Sequence, residues 1–272
     1  TTHSVMSFEI EQPQINAVSK SLVESYRSTN GLAWAQDGNA LNHGDKDFAN
    51  EVKDRDPRLS YVIDTNMLHP QLVSKTFSTT GYFSRKYIKE EYIGTAQGQS
   101  STNTIDCPAL RYGEVLLIYA EASAELGSVG GPAMTQEEMD MTINTIRNRK
   151  DVRMPHLTVS GDNVSVNGQM INDPVRTEGV SPLIWEIRNE RRVEMNLEGK
   201  RYNDLRRWGE LWRADNLKNP KQDMGAWIDK DAILKILTDE AIESAKKNDK
   251  EVTQDDLAKL AKSVDTTIRI HG

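Results

Sequence analysis

The sequence predicts a mainly α-helical protein of paired helices, with long irregular loops and a few short strands. Two observations support this fold class. Residues 109–214 carry apolar side chains at the three- and four-residue spacing of helices with one buried face. Residues 1–108 are instead rich in Gly, Asn, Asp, Ser and Thr, a composition typical of loops. Loops of this size are more often functional than short ones, so we expect functional residues among them.

The first half of the chain predicts few regular elements and then a pair of helices. Apolar spacing predicts a helix at 13–26, and β-rich runs predict short strands at 61–64 and 81–88. Two further helices are predicted at 109–127 and 136–149. Because a short glycine-rich link joins them, we expect them to form an antiparallel hairpin.

The second half predicts a small hairpin followed by four more helices. The hairpin is expected within 157–171, where valines flank a Gly-Asp turn. Ser181 and Pro182 have the residue types of an N-cap and a first helical position, and Gly199 ends the helix that they open. A fourth helix follows, and the segment 229–264 predicts two more, the last one beginning at a variant of the capping box.

Composition and charge exclude several classes of function. The chain has 272 residues, 37% of them hydrophobic and 28% charged, with a formal net charge of −7, which is typical of a globular protein. This net charge disfavours a general attraction to nucleic acid or anionic lipid. Cys107 is the only cysteine, so an intrachain disulfide and a thiolate metal cluster are excluded. The sequence has no apolar run of the roughly 18 residues that a membrane-spanning helix needs.

A charged stretch, IRNERRVEMNLEGKRYNDLRRWGELW at 187–212, mixes six arginines and one lysine with five acids. On a helical wheel, Glu190, Arg191, Glu194 and Glu198 share the side that carries the apolar residues. A buried charge is costly unless it is paired and hydrogen-bonded. We therefore predict a largely buried network of structural ion pairs that fixes two helix pairs against each other. In this network Arg191 pairs with these glutamates or with acids of neighbouring helices.

Two other interpretations of this stretch are weaker. A nucleic-acid surface would need a basic stripe, whereas here acids and bases are interleaved. Neighbouring glutamates could serve glycoside hydrolysis, which uses two carboxyl groups. The adjacent arginines would hold the pKa of such carboxyl groups low, which disfavours a catalytic acid.

The ordered motifs resemble the SusD/RagB family. The motifs are LVESYRSTNGLAW and RDPRL in the first half, then ALRYGEVLLIYAEASAELG, INTIRNRK and SPLIWEIRNERRVEMNLEGKRYNDLRRW. They keep their order over about residues 8 to 214, which makes the set far more specific than any one motif. Residues 215–264 match less well, and we interpret them as an insertion.

The resemblance implies a function in nutrient uptake. Members are helical outer-membrane lipoproteins on tetratricopeptide-like helix pairs. They lie as a lid on a SusC-like TonB-dependent transporter and capture oligosaccharides, or in some RagB-like members peptides. They are binding proteins and not enzymes, and we expect no cofactor in this chain. We accordingly expect a surface-exposed protein of the outer membrane, anchored through a lipid on an upstream N-terminal segment.

The resemblance also suggests how this chain is organised. We interpret the whole chain, 1–272, as one C-terminal portion of such a protein. Within it we expect a loop-rich, ligand-facing part at 1–108, a helix-pair scaffold at 109–214, and a helical insertion and tail at 215–272.

The candidate ligand-binding residues come from the loops. A sugar needs a flat aromatic face for its C–H surface and planar amide or carboxylate partners for its hydroxyl groups. The segment NGLAWAQDGN offers both, so we predict ligand contacts at Trp34, Gln36, Asp37 and Asn39. Tyr82, in the segment GYFSRKY, is a further candidate.

Other conspicuous residues are interpreted as structural. Trp185, Trp208 and Trp212 keep helical spacing and are expected in the core, while Trp227 is left undecided. The aspartates within 45–56 match no calcium-loop pattern, and the five histidines have no metal-ligand spacing, so no metal site is predicted.

Four functions remain open at this stage. The leading one is capture of a glycan for transport. The alternatives are a peptide-capturing relative, a glycoside hydrolase that uses Glu190 or Glu194, and a helical adaptor that contacts only its transporter.

Overall fold

The computed structural model confirms the predicted fold class: mainly helical, with a small sheet and long loops. It describes residues 18–65, 80–82, 84–104, 108–227, 229–248 and 250–271. The predicted helix at 13–26 lies partly outside these residues, and within them only a single turn is helical.

The first part of the chain consists of loops with short helices between them. These are α1 (Lys20–Val23), α2 (Phe48–Val52) and α3 (Leu59–Val62). Asp47 caps α2, since its side chain accepts from two backbone N–H groups of the first turn. The strand predicted at 61–64 is wrong for its first half, which belongs to α3. At its second half Ile63 forms an isolated antiparallel bridge with Ser84.

The first long helix, α4, spans Tyr112–Ser128 and is followed by two shorter helices. The single helix predicted at 136–149 is wrong, because the structure has α5 (Gln136–Met141) and α6 (Ile143–Arg147) with a break between them. At the break Thr142 has a non-helical backbone, and its hydroxyl donates to the Glu138 carbonyl. Such local side-chain bonds compete with the regular helix ladder.

A three-stranded antiparallel sheet occupies the segment where one hairpin was predicted. Its strands are β1 (Leu157–Ser160), β2 (Asn163–Val166) and β3 (Gln169–Met170), in the order β1–β2–β3. Leu157 pairs with Val166 in the first register, and the buried side chains of both face the helices.

The second half of the scaffold begins with α7, Pro182–Glu194, and α8, Arg201–Arg207. Ser181 caps α7 as predicted, by accepting a hydrogen bond from the Ile184 N–H. Gly199, with a φ of +71°, turns the chain between the two helices. Two tail helices follow, α9 (Lys230–Lys247) and α10 (Gln254–His271), and they pack against each other.

The apolar core has two parts, and α7 belongs to both. One part joins α4, α5, α6, the sheet and the first half of α7, where Leu183 and Ile187 are buried. The other joins α1, α2 and α3 to Val193 near the end of α7. A helix that is buried on nearly all sides must bury its charged residues too, and α7 carries many of them.

Candidate ligand-binding site

Three glutamates form a row on α7 at four-residue spacing. Glu186, Glu190 and Glu194 therefore project from the same side of the helix, and all three are buried. Adjacent buried carboxylates repel one another, so the row requires several cations to balance it.

Arginines from distant parts of the chain supply that charge. Arg27 binds Glu186 through both carboxylate oxygens and also contacts Asp173 at 2.7 Å. Arg147 lies between two glutamates, 3.2 Å from Glu190 and 3.7 Å from Glu186. These pairs join the loop before α2 and the end of α6 to α7.

Glu194, at the end of the row, receives three arginines. Arg58 bridges the row, with its Nη1 at 2.5 Å from Glu190 and 3.0 Å from Glu194. Arg111 and Arg149 each place an Nη1 atom 2.7 Å from Glu194. Burial alone would raise the pKa of Glu194, but Arg58 and the two hydrogen-bonded arginines hold that pKa at about 2.

The carboxylates of this row are thus engaged as structural anions. A glycosidase acid needs a raised pKa, and Glu194 has the opposite shift. Glu190 accepts hydrogen bonds from Arg58 and Arg147 on its two oxygens, which leaves it poorly placed to protonate a substrate. The geometry therefore argues against the hydrolase interpretation of these two residues.

Arg191 points to a second set of acids. Its Nε atom lies 2.9 Å from both carboxylate oxygens of Asp204 on α8, and its Nη2 lies 3.5 Å from Glu114 on α4. Of the two options that the sequence left open for Arg191, acids of neighbouring helices are the partners found here. Glu198 instead pairs with Arg111 and with Lys86, at 2.8 and 2.9 Å.

We call the glutamates of α7, their arginine partners and the Arg191–Asp204 pair the ion-pair frame. Beside this ion-pair frame lies an open cavity of about 690 Å³. It is bounded by α1, the end of α7, α8 and the 3₁₀ turn at Leu211–Ala214. Its lining combines one exposed aromatic ring with amides and guanidinium groups, which include Arg192, Asn196, Arg201, Tyr202, Arg213 and Gln222.

The lining has the chemistry that sugar recognition requires. The Tyr202 side chain is 65% exposed, so its ring is free to receive the C–H face of a sugar. The amides of Asn196 and Gln222 can donate to and accept from hydroxyl groups. Sequence reasoning missed Tyr202, because this residue lies on a predicted helix and the ligand contacts were sought in the loops.

The predicted contact Trp34 is placed differently. Its side chain is buried, with 5% exposed, and the Arg55 guanidinium covers the ring at 4.7 Å from its centroid. In this conformation the indole has no open face for a sugar, since it packs as the anchor of its own loop. Contact between Trp34 and a ligand stays a prediction.

The polar residues after Trp34 are largely engaged by the protein. The buried Asn39 amide donates to Ser28 Oγ at 2.9 Å and to the Ala33 carbonyl at 3.1 Å. Gln36 donates to the Met170 carbonyl and accepts from the Asn172 N–H, which fixes the loop to β3. Asp37 is exposed. A role of these residues in ligand binding likewise stays a prediction.

Tyr82, the last predicted contact, lies in the core. It is fully buried beside Phe48, and its hydroxyl donates to Glu51 at 2.8 Å. Burial raises the pKa of the Tyr82 hydroxyl, and the neighbouring Glu51 carboxylate raises it further. This hydroxyl is therefore a neutral hydrogen-bond donor inside the protein, and its role as a ligand contact stays a prediction.

Only one of the three helical tryptophans is fully in the core as expected. Trp185 is buried, whereas Trp208 and Trp212 are only partly buried. Cations cover them: Arg188 and Arg207 lie over Trp208, and Arg213 lies over Trp212 at 4.6 Å. A guanidinium group can replace an apolar partner on an aromatic face, so helical spacing alone did not establish burial.

Neither a metal site nor a membrane-spanning helix is found among the described residues. In them no group of three or more His, Cys, Asp or Glu side chains is arranged to hold a metal ion. No helix among the same residues is both long and apolar enough to cross a bilayer.

The fold and the cavity define a class: a helical scaffold with an open cleft lined by polar and aromatic groups. The chain belongs to the SusD family, whose sequence model matches residues 15–268. This match continues through most of the segment that we interpreted as an insertion. No match was found among curated proteins.

Two similar solved structures are both from Bacteroides fragilis. One, a SusD-like carbohydrate binding protein, is 30% identical over 70% of this chain, with a TM-score of 0.47. The other, a SusD-like protein, is 24% identical over 71% of this chain, with a TM-score of 0.44. The chain spans 35% and 36% of their lengths, so it corresponds to about a third of each.

Proposed function

We propose that this chain is part of a SusD-like surface lipoprotein that captures an oligosaccharide and passes it to a SusC-like TonB-dependent transporter in the outer membrane. The observation that carries the proposal is the family match over residues 15–268. The protein acts by binding and performs no catalysis. The engagement of Glu190 and Glu194 by arginines supports this view.

The cavity beside α8 is the proposed place of capture. Tyr202 supplies the aromatic platform, and Asn196 and Gln222 supply planar amides around it. The ion-pair frame holds α7 and α8 in fixed positions, because Arg191 and Asp204 connect them directly. A binding site built on fixed helices keeps its geometry without a ligand, and this lowers the entropic cost of binding.

Calorimetry against a panel of oligosaccharides tests the proposal. We expect at least one glycan to bind, and we expect Tyr202→Ala to weaken that binding about tenfold or more. Tyr112→Ala is the matched control, since Tyr112 is 70% exposed on α4 and does not line the cavity. Neither change should lower the melting temperature by more than a few degrees, as both rings are exposed.

Two outcomes would overturn parts of the proposal. If the panel is silent and peptides bind, the ligand class is wrong and a peptide-capturing relative is the better interpretation. If a glycan binds equally to wild type and to Tyr202→Ala, the class stands but the cavity is not the site. Co-purification with a SusC-like transporter from outer membranes tests the partner separately.

A further inference from the structure

The cavity beside α8 carries an excess of positive charge. Among the described lining residues there are five cationic side chains and a single acid, Asp204; the cations are Arg191, Arg192, Lys200, Arg201 and Arg213. This excess occurs in a chain whose formal net charge is −7, so it is a local feature and not a consequence of composition.

Three of these cations are balanced by carboxylates. Arg191 pairs with Asp204, and Lys200 pairs with Glu114 at 3.0 Å. Arg213 pairs with Glu210 at 2.7 Å. Arg213 also lies 4.6 Å from the ring centroids of two tryptophans, so its position is fixed by the protein.

The other two have no such partner. Within the described part of the chain, no carboxylate lies at ion-pair distance from Arg192 or Arg201. Arg192 donates to the Ser21 hydroxyl at 3.0 Å, and the Arg201 guanidinium lies 5.7 Å from the centroid of the Trp208 ring. Both are partly buried, in contrast to the solvated arginines of an ordinary surface.

These two arginines also repel their neighbours. Burial, together with the positive charges of Arg201 and Arg213, lowers the pKa of Arg192 to about 9. Burial and the charge of Arg213 similarly lower the pKa of Arg201 to about 10. Both guanidinium groups stay protonated at neutral pH, so the folded protein keeps two positive charges near each other although they repel.

The cavity therefore holds cations that no carboxylate of the described residues neutralises. Arg192 and Arg201 keep their charges beside Arg213, and Asp204 is the one acid among the described lining residues. An anionic group between these arginines would balance their charges and relieve the repulsion. The unpaired, partly buried cations describe a site for an anion.

We propose that the cavity binds the anionic group of an acidic sugar, a uronate carboxylate or a sulfate ester, between Arg192 and Arg201. Tyr202 then stacks on the ring of the same sugar, since it lines the cavity next to Arg201. The sugar part of this assignment rests on the proposed function, whereas the anion site rests on the arginines alone. Guanidinium groups suit both oxyanions, because their donors form a planar fork.

Calorimetry with four probes distinguishes the parts of this proposal. The probes are a uronic-acid disaccharide, the same disaccharide with its carboxyl group reduced to an alcohol, a sulfated disaccharide, and inorganic sulfate. We expect one of the charged sugars to bind at least about tenfold more tightly than the reduced one, with an affinity that falls as salt rises. The tighter of the two charged sugars identifies the anion.

Arginine variants locate the site. Arg192→Gln and Arg201→Gln should each weaken binding of the charged sugar about tenfold or more. Arg206→Gln is the matched control, because Arg206 is exposed on the same helix and does not line the cavity. The first two variants should also melt at or above the wild-type temperature, since they remove repulsion. If an arginine had a purely structural role, its replacement would instead lower the melting temperature of the protein.

The outcomes are separable. If inorganic sulfate binds and is lost in Arg192→Gln while no sugar binds, the anion site stands and the glycan proposal fails. If charged and reduced sugars bind equally, glycan capture stands and this inference is overturned. It is overturned as well if no anion binds, or if Arg192→Gln and Arg201→Gln bind the charged sugar as wild type does.

Discussion

The Nε atom of Arg191 lies 2.9 Å from both carboxylate oxygens of Asp204, which joins α7 to α8 through one buried contact. The Oδ1 atom of Asp204 also lies 3.1 Å from the Nη2 atom of Arg207, so one carboxylate that lines the cavity fixes two cations. The contact therefore positions the helix that carries Tyr202 and Arg201.

The first prediction follows from this contact. Arg191→Met should lower the free energy of unfolding by about 3–5 kcal/mol, because it leaves Asp204 buried with less compensating charge. Arg191→Met with Asp204→Leu should recover much of that loss, since both charges are then removed together. Urea denaturation of Arg191→Met, Asp204→Leu and the double variant measures the coupling energy between the two residues.

Arg206→Met serves as the control, as Arg206 is exposed on the same helix. If the losses of unfolding free energy in the two single variants simply add in the double variant, Asp204→Leu brings no recovery. That result would show that Arg191 and Asp204 do not stabilise each other.

The second prediction concerns acid. The pKa of Glu194 is about 2 in the folded protein and near its ordinary 4.5 when unfolded. A depressed carboxyl pKa contributes stability that is fully present above the unfolded value and is lost as pH falls through the folded value. We therefore expect roughly 3 kcal/mol of stability to disappear between about pH 4.5 and pH 2.

Urea midpoints at a series of pH values measure this loss. Glu194→Gln should flatten the curve across that window, whereas Glu178→Gln, at an exposed position, should leave its slope as in wild type. Parallel curves for wild type and Glu194→Gln would contradict the assignment. The lowered pKa values of Asp173 and Glu198 add to the same acid loss, so some slope remains in every variant.

The glutamate row shows what could be predicted from the sequence and what could not. The wheel placed Glu190, Glu194 and Glu198 on the apolar side of the helix, and Glu186 follows from the same four-residue spacing. The cations that meet these acids come from elsewhere, and spacing along one helix holds no information about them. Three-dimensional packing alone places Arg27 against Glu186, 159 residues away.

The family motifs did contain the missing half of the network. Arg27 lies in LVESYRSTNGLAW, Arg58 in RDPRL, Arg111 in ALRYGEV, and Arg147 and Arg149 in INTIRNRK. Each of these four motifs thus contributes at least one arginine that forms an ion pair with a glutamate of α7. These four segments lie far apart in sequence and meet in one buried charge network.

The aromatic residues show the limit of local composition. A tryptophan in a polar loop suggested an exposed ring, yet Arg55 covers Trp34 and the loop closes around it. Tyr202 lies on a predicted helix and was not proposed as a ligand contact, yet its ring is exposed. Arg55, which covers Trp34, lies outside the loop segment that contains Trp34, so local composition could not reveal the contact.

The third prediction separates these two rings. Trp34→Ala should lower the free energy of unfolding by about 3–5 kcal/mol, because it removes a buried indole and uncovers Arg55. Tyr202→Ala should change it by less than about 1 kcal/mol. Thermal melts of the two variants, read beside their glycan affinities, distinguish folding from binding. A Trp34→Ala variant as stable as wild type that no longer binds glycan would instead restore Trp34 as a ligand contact.

The fourth prediction concerns the glycine of the loop before Trp34. Gly31 has a φ of +86°, and a Cβ atom there would lie 2.7 Å from a Val166 methyl group and 3.3 Å from an Arg147 nitrogen. Gly31→Ala should therefore lower the free energy of unfolding by about 2–4 kcal/mol, through backbone strain and overpacking together. Urea denaturation measures the change.

Gly44 provides a matched control for the backbone part of this effect. It has a φ of +87°, and a Cβ atom there would meet nothing within 4 Å. Gly44→Ala should thus show only the strain, about 1 kcal/mol. Adding Val166→Ala to Gly31→Ala removes the methyl group that clashes, so the double variant should lose less than the sum of the two single changes. Equal losses at Gly31 and Gly44 would mean that the loop moves away from β2 to accommodate the added methyl group, and would contradict the predicted overpacking against Val166.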